Sequence, residues 1–244
     1  MSAPDEWVAL TAFTPARLAL GRAGNGLPTT RVLEFQLAHA RAQDAVHAPF
    51  DADAVARALA PDAAILLRTQ AADRNDYLMN PDRGRTLDEP SAAKLRRGAF
   101  DAALVIADGL SATAIHAHGV SLAKLVQASA TALVWAPVTI VRNGRVAVGD
   151  EIASALGAQM AVVLIGERPG LSAADAIGIY LTWKPVPGIT RDAGRNCISN
   201  VRPSGLPLDE AAHRLVWLMT QARKLHATGV ALKEDAPDLL PLPG

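Results

Sequence analysis

AALVIA at residues 102–107 and MAVVLI at residues 160–165 decide how this sequence folds. Each is a continuous apolar run of strand length, so each reads as a strand covered on both faces. Each is closed by turn-forming residues, DGLS at 108–111 after the first and GERPG at 166–170 after the second. Working outward, VTIV (138–141) is a strand that ends at Asn143 and Gly144, and IGIYLTW (177–183) is another. Helical stretches lie between them. One follows Ser111 and runs to about Thr131, and one covers 151–156 and stops at Gly157. A long one covers 207–227, with Leu215, Leu218 and Ala222 on one face. Apolar strands alternating with helices predict an α/β fold, a Rossmann-like and mostly parallel sheet covered by helices.

The first part of the chain reads differently and suggests two regions: a mainly helical one over 1–97 and a Rossmann-like one over 98–244. Thr29 or Thr30 can cap a helix running to about Val46, with Leu33, Leu37 and Ala40 on one face. Residues 51–59 read as a second helix, Ile65, Leu66 and Leu67 as a short strand, and NDYLMNPDRG (75–84) as loop. The tail from Asp235 onward holds three prolines and reads as irregular.

Composition removes several classes of function. Lys plus Arg and Asp plus Glu both number 24, so the formal charge is zero and the basic excess of a nucleic-acid binder is missing. The longest apolar stretch is far short of the roughly 20 residues that cross a bilayer. Residues 1–14 show no secretory signal, which predicts an intracellular protein. The one cysteine, Cys197, has no internal partner for a disulfide and no thiol cluster for zinc. His116 and His118 lie two apart, a poor metal pair on a helix. No G-x-S-x-G, HExxH or P-loop is present, so no self-contained catalytic site or metal site is expected.

In an open parallel α/β sheet, ligands bind beyond the carboxyl ends of the strands. That rule selects residues 108–111, 143–146 and 166–170, with NCISN (196–200) as a fourth loop converging on the same crevice. Plain structural readings compete at each position. Asp108 is equally a helix cap, Glu167 and Arg168 a surface ion pair, and Cys197 a small buried apolar side chain.

Six ordered stretches resemble the small subunit of ethanolamine ammonia-lyase. They are residues 14–47, NDYLMNPDRGR (75–85), DGLSATAI (108–115), the segment around NGRVAVGDEI (143–152), LIGERPGLSAADAIGIY (164–180) and NCISNVRPSGLP (196–207). The resemblance covers nearly the whole chain, with GERPGL followed by CISN the most specific part. It implies a carbon–nitrogen lyase that converts ethanolamine to acetaldehyde and ammonia with adenosylcobalamin, whose cobalt–carbon homolysis supplies the radical. It implies that the large subunit is the partner and holds substrate and catalytic residues, in a hetero-oligomer of paired large and small subunits. The small subunit then covers part of the cobalamin without being catalytic. The cofactor-contacting positions carried over are Val146, Glu167 and Cys197. A D-x-H-x-x-G run is missing, which agrees with a cofactor that keeps its own benzimidazole ligand. The short segment before Thr14 places the protein in the cytoplasm first, with a bacterial microcompartment reachable through the partner. No nucleic acid and no membrane are expected as partners.

The rival reading is a free-standing Rossmann-type module in which Asp108 and Glu167 bind the ribose of a nucleotide. It has against it that the glycines at 21, 24 and 26 do not form a G-x-G-x-x-G fingerprint.

Overall fold

The computed structural model describes residues 6–14, 16–61 and 63–237. The segment read as free of a signal and the proline-bearing tail lie partly outside the described residues, at 1–5 and 238–244. Six strands form one sheet: β1 (Ile65–Arg68), β2 (Phe100–Ala107), β3 (Thr139–Arg142), β4 (Ala158–Gly166), β5 (Ile177–Trp183) and β6 (Arg195–Val201). Their spatial order is β1-β3-β2-β4-β5-β6.

The α/β expectation holds, and the two decisive apolar runs are the two central strands. Ala102, Leu104 and Ile106 of β2 and Met160, Val162 and Leu164 of β4 face one core, and Ala103, Val105, Ala107, Ala161, Val163 and Ile165 face the other. The side-chain period of two thus fills both faces with apolar residues, which is what a strand covered on both sides requires.

The parallel expectation holds for β1 to β4 and fails for β5 and β6. β1, β2, β3 and β4 pair in parallel, whereas β5 runs antiparallel to β4 and β6 antiparallel to β5, so the sheet is mixed. The cause lies in the connections. A parallel neighbour needs a crossover, usually a helix, and residues 167–176 between β4 and β5 contain none, so the chain can only turn back. NCISN is accordingly not a loop at a strand end but most of β6.

Eight α-helical segments complete the described fold: α1 (Thr29–His47), α2 (Ala52–Ala58), α3 (Arg74–Met79), α4 (Glu89–Ala92), α5 (Ala112–Ala114), α6 (Val120–Ser129), α7 (Val148–Leu156) and α8 (Leu208–Leu225). A π-helical turn, Ile115–Gly119, joins α5 to α6. α6 and α8 cover one face through Leu122, Val126, Leu215 and Leu218. α7 covers the other through Val148, Ile152 and Leu156, and stops at Gly157 with φ +76°, a left-handed position that glycine adopts without strain.

Two local readings change. Pro28, not Thr29 or Thr30, occupies the N-cap of α1 and leaves it without a side-chain cap. The stretch read as loop at 75–84 contains α3 and a 3-10 turn, Pro81–Arg85, because the Asp73 carboxylate accepts from the Asp76 amide and starts a helix before the prolines and glycines can prevent it. α1 is almost wholly uncovered: Ala45 is buried, while Leu33, Phe35 and Leu37 are exposed. Among the described residues, no helix is long and apolar enough to cross a membrane.

Candidate functional site

The chain leaves β2 over the α6 face to reach β3, then passes back beyond β2 over the α7 face to reach β4. That reversal is a topological switch point, and a cleft of ≈390 Å³ opens beside it at the carboxyl ends of the strands. Gly109, Arg145, Val146, Glu167 and Tyr180 are among its lining residues, with the Tyr77 ring beneath.

Backbone packing shapes the floor. The Leu110 amide donates to the Gly166 carbonyl at 2.9 Å, joining the turn after β2 to the end of β4. A Cβ on Gly109 would lie 2.3 Å from the Gly166 oxygen, and a Cβ on Gly166 would lie 2.1 Å from the Ser111 oxygen. Only glycine fits at either place, and Gly109 also has φ +54°.

Asp108 does not cap the following helix; Ser111 does, through Oγ accepting from the Ala114 amide. Asp108 instead ties the two turns together. Its Oδ1 accepts from the Gly144 amide at 3.1 Å, and its Oδ2 lies 3.5 Å from Nη1 of Arg74. Burial pushes its carboxyl up to about 6, against the opposing pull of Arg74 and the Gly144 amide.

Tyr77 is fully buried, and its hydroxyl donates to the Gly144 carbonyl at 3.2 Å. Two guanidinium groups rest on its ring, Arg74 at 4.9 Å and Arg145 at 4.3 Å from the centroid. Burial raises its phenol pKa.

Glu167 and Arg168 do not form an ion pair. Both carboxylate oxygens of Glu167 accept from the Asn200 amide at 3.2 Å, and its side chain lies across Gly178, where a Cβ would stand 3.1 Å from Oε1. Burial pushes the Glu167 carboxyl up, opposed by that amide. Cys197 is exposed on β6, not buried, and sits directly across the ladder from Tyr180. Directly paired residues share a face of the sheet, so the Tyr180 and Cys197 side chains are neighbours. Desolvation and the nearby Glu167 charge raise the Cys197 thiol, and the neighbouring Tyr180 hydroxyl opposes them. Desolvation, first, and the neighbouring Cys197 thiol raise the phenol of Tyr180.

Of the three residues carried over from sequence, Val146 and Glu167 line one cleft, whereas Cys197 is outside its lining and lies across the ladder from Tyr180, which does line it. Sequence reasoning missed Tyr77, Arg145 and Tyr180. Arg145 carried the clearest signal, because it lies between the Asn143-Gly144 turn and Val146; Tyr77 was hidden in a stretch read as loop. His116 and His118 serve other contacts. Nε2 of His116 accepts from the Asp51 amide at 3.1 Å, and Nε2 of His118 lies 3.3 Å from Asp175.

The site has the chemistry to hold a ligand rich in amides and acceptor oxygens. It offers a carboxylate acceptor at Glu167 and, beside it, two guanidinium groups that keep buried nitrogens without partners among the described residues, Nη2 of Arg74 and Nε of Arg145.

A family model described as ethanolamine ammonia-lyase light chain (EutC) matches residues 4–233. The chain is 52% identical over 242 residues to an ethanolamine ammonia-lyase small subunit of Ralstonia nicotianae, covering 95% of this chain and 89% of that protein. It is 50% identical over 245 residues to the protein so named in Pseudomonas aeruginosa, covering 96% and 89%. It is 51% identical over 242 residues to the one in Pseudomonas syringae pv. tomato, covering 95% and 84%. A match of this extent and identity leaves one conclusion: the chain belongs to the ethanolamine ammonia-lyase light chain family.

Proposed function

We propose that this chain is the non-catalytic small subunit of an adenosylcobalamin-dependent ethanolamine ammonia-lyase. It helps to hold the cofactor at its interface with a large subunit that carries the substrate site, and the complex converts ethanolamine to acetaldehyde and ammonia. The family match over residues 4–233 carries this reading. Support from the geometry is the cleft at the switch point, which gathers Val146 and Glu167 and is lined by Tyr180, the ladder partner of Cys197.

Adenosylcobalamin supplies a radical when its cobalt–carbon bond breaks; the protein's task is binding and orientation. In this chain, Glu167 would accept hydrogen bonds from cofactor amides, a stronger acceptor than a neutral oxygen. Val146 would make an apolar contact, and Cys197, paired across the ladder with Tyr180, would border the cofactor from β6. Gly109 and Gly166 let the turn after β2 and the end of β4 meet, which fixes the floor against which the cofactor would lie. We place the complex in the cytoplasm or, through its partner, in a microcompartment.

The test is reconstitution. The chain alone should release no acetaldehyde from ethanolamine, and adding the large subunit with adenosylcobalamin should restore turnover. Full activity of the large subunit with cofactor but without this chain would overturn the proposal.

A further inference from the structure

The two guanidinium groups stacked on Tyr77 have different surroundings. Arg74 is committed within the protein: its Nε donates to the Val46 carbonyl at 2.7 Å, Nη1 donates to the Gly109 carbonyl at 2.7 Å, and Asp108 neutralises it, leaving only its buried Nη2 without a partner among the described residues. Arg145 has no carboxylate within ion-pair distance among the described residues. Its one side-chain hydrogen bond there is long, Nη2 to the Tyr77 carbonyl at 3.4 Å. Its Nε is buried and unpartnered. A guanidinium so placed retains donors for an outside acceptor.

Arg145 is also held in place. Its backbone amide donates to the Gly84 carbonyl at 2.7 Å, and the Gly84 backbone packs on both its side-chain stem and the Tyr77 ring, each 2.9 Å from where a Cβ would be. Asn143, in the left-handed region at φ +57°, and Gly144, pinned by Asp108 and Tyr77, set the turn that projects it. A fixed fork loses little freedom on binding, which is what a binding residue needs.

Its position completes the case. Arg145 and Val146 line both the ≈390 Å³ cleft and a larger neighbour of ≈970 Å³ that opens toward Asp150 and Arg191. The first cleft alone is small for a corrinoid, and Arg145 and Val146 stand on the wall it shares with the larger one. Resting on the cofactor reading above, we infer that Arg145 is a cobalamin-binding residue that donates to an acceptor oxygen on the cofactor's periphery, an amide carbonyl or the phosphate of its nucleotide tail.

The experiment measures cobalamin affinity in the assembled complex by equilibrium dialysis, using cyanocobalamin so that turnover plays no part. The variants are R145M, which keeps the apolar stem between Gly84 and Tyr77, and R145K. R145M should weaken binding by about tenfold or more and R145K by less, since a charged hydrogen-bond partner is lost in the first and partly kept in the second. Gel filtration and melting establish that both variants assemble. Cobinamide, which lacks the nucleotide tail, separates the two acceptors. A loss seen equally with cobinamide assigns the contact to the corrin amides, and a loss confined to the tailed cofactor assigns it to the phosphate. Tight binding by wild type with unchanged binding by assembled R145M overturns the role of Arg145 alone. No cobalamin binding by the wild-type complex overturns the underlying cofactor reading as well.

Discussion

Gly109 and Gly166 meet backbone to backbone, so close that a single carbon added to Gly109 would stand 2.3 Å from the Gly166 oxygen. This contact joins the turn after β2 to the end of β4 and forms the floor of the cleft. Gly109→Ala should destabilise the chain by about 3 kcal/mol or more, combining a clash with a positive φ. Urea unfolding at neutral pH measures it, and an unchanged midpoint would show that the floor relaxes freely.

Glu167 provides the second prediction. In the complex, Glu167→Ala should weaken cobalamin binding by about 1–3 kcal/mol, the usual cost of losing a charged hydrogen-bond partner. Glu167→Gln keeps a carbonyl acceptor for the Asn200 amide and should lose less. Equal affinity in all three proteins, by equilibrium dialysis, would remove Glu167 from the binding surface.

Asp108 makes stability depend on acidity. Its carboxyl is pushed up to about 6 in the fold from an ordinary value of 3.8, so the folded chain holds that proton more tightly. Between those two values the folded state binds more protons than the unfolded state, and stability from this group falls as pH rises. The cost of burying the charge is absent below about pH 4 and complete above about pH 6, on the order of 2–3 kcal/mol. Asp108→Asn should flatten the decline across that window, leaving a weaker slope of the same sign from Glu167. Unfolding curves at several pH values between 4 and 7 with the same slope in both proteins would contradict it.

Asp150 at the start of α7 and Arg195 at the start of β6 form a buried bidentate pair, both N–O distances 2.6 Å, with Thr182 accepting from the same guanidinium. The pair ties α7 to the antiparallel extension. Arg195→Met leaves a buried carboxylate without its cation and should cost about 3–5 kcal/mol. Replacing Asp150 with Leu in the same protein should recover much of the loss. A double-mutant cycle by urea unfolding measures the coupling, and additive losses would show that the pair does not interact.

The sequence announced the centre of the fold more clearly than its edges. β2 and β4 were legible because unbroken apolar runs have few other homes, and Gly157 and the Leu215 face marked helix limits and packing. β5 is equally apolar, but burial on both faces says nothing of strand direction; the missing helix between Gly166 and Ile177 was the informative feature. β6 escaped as a strand because Asn196, Cys197, Ser199 and Asn200 alternate only loosely with buried Ile198 and Val201, as an edge strand permits. At the site, Val146 and Glu167 followed from strand-end position and family resemblance together. Tyr77 and Arg145 depend on a ring stacked between two distant segments, a relationship that no local spacing encodes.

β1 sits at the outer edge of the sheet, yet it is the first strand in the chain, and its partner β3 lies more than seventy residues downstream. During synthesis β1 emerges with nothing to pair with, and β2 must also wait, since both its neighbours follow it. The sheet therefore closes from the inside once β3 and β4 leave the ribosome. The early helices and β1 spend that interval as a tethered, incompletely paired arm, with strand edges and apolar faces uncovered until the carboxyl-terminal half arrives.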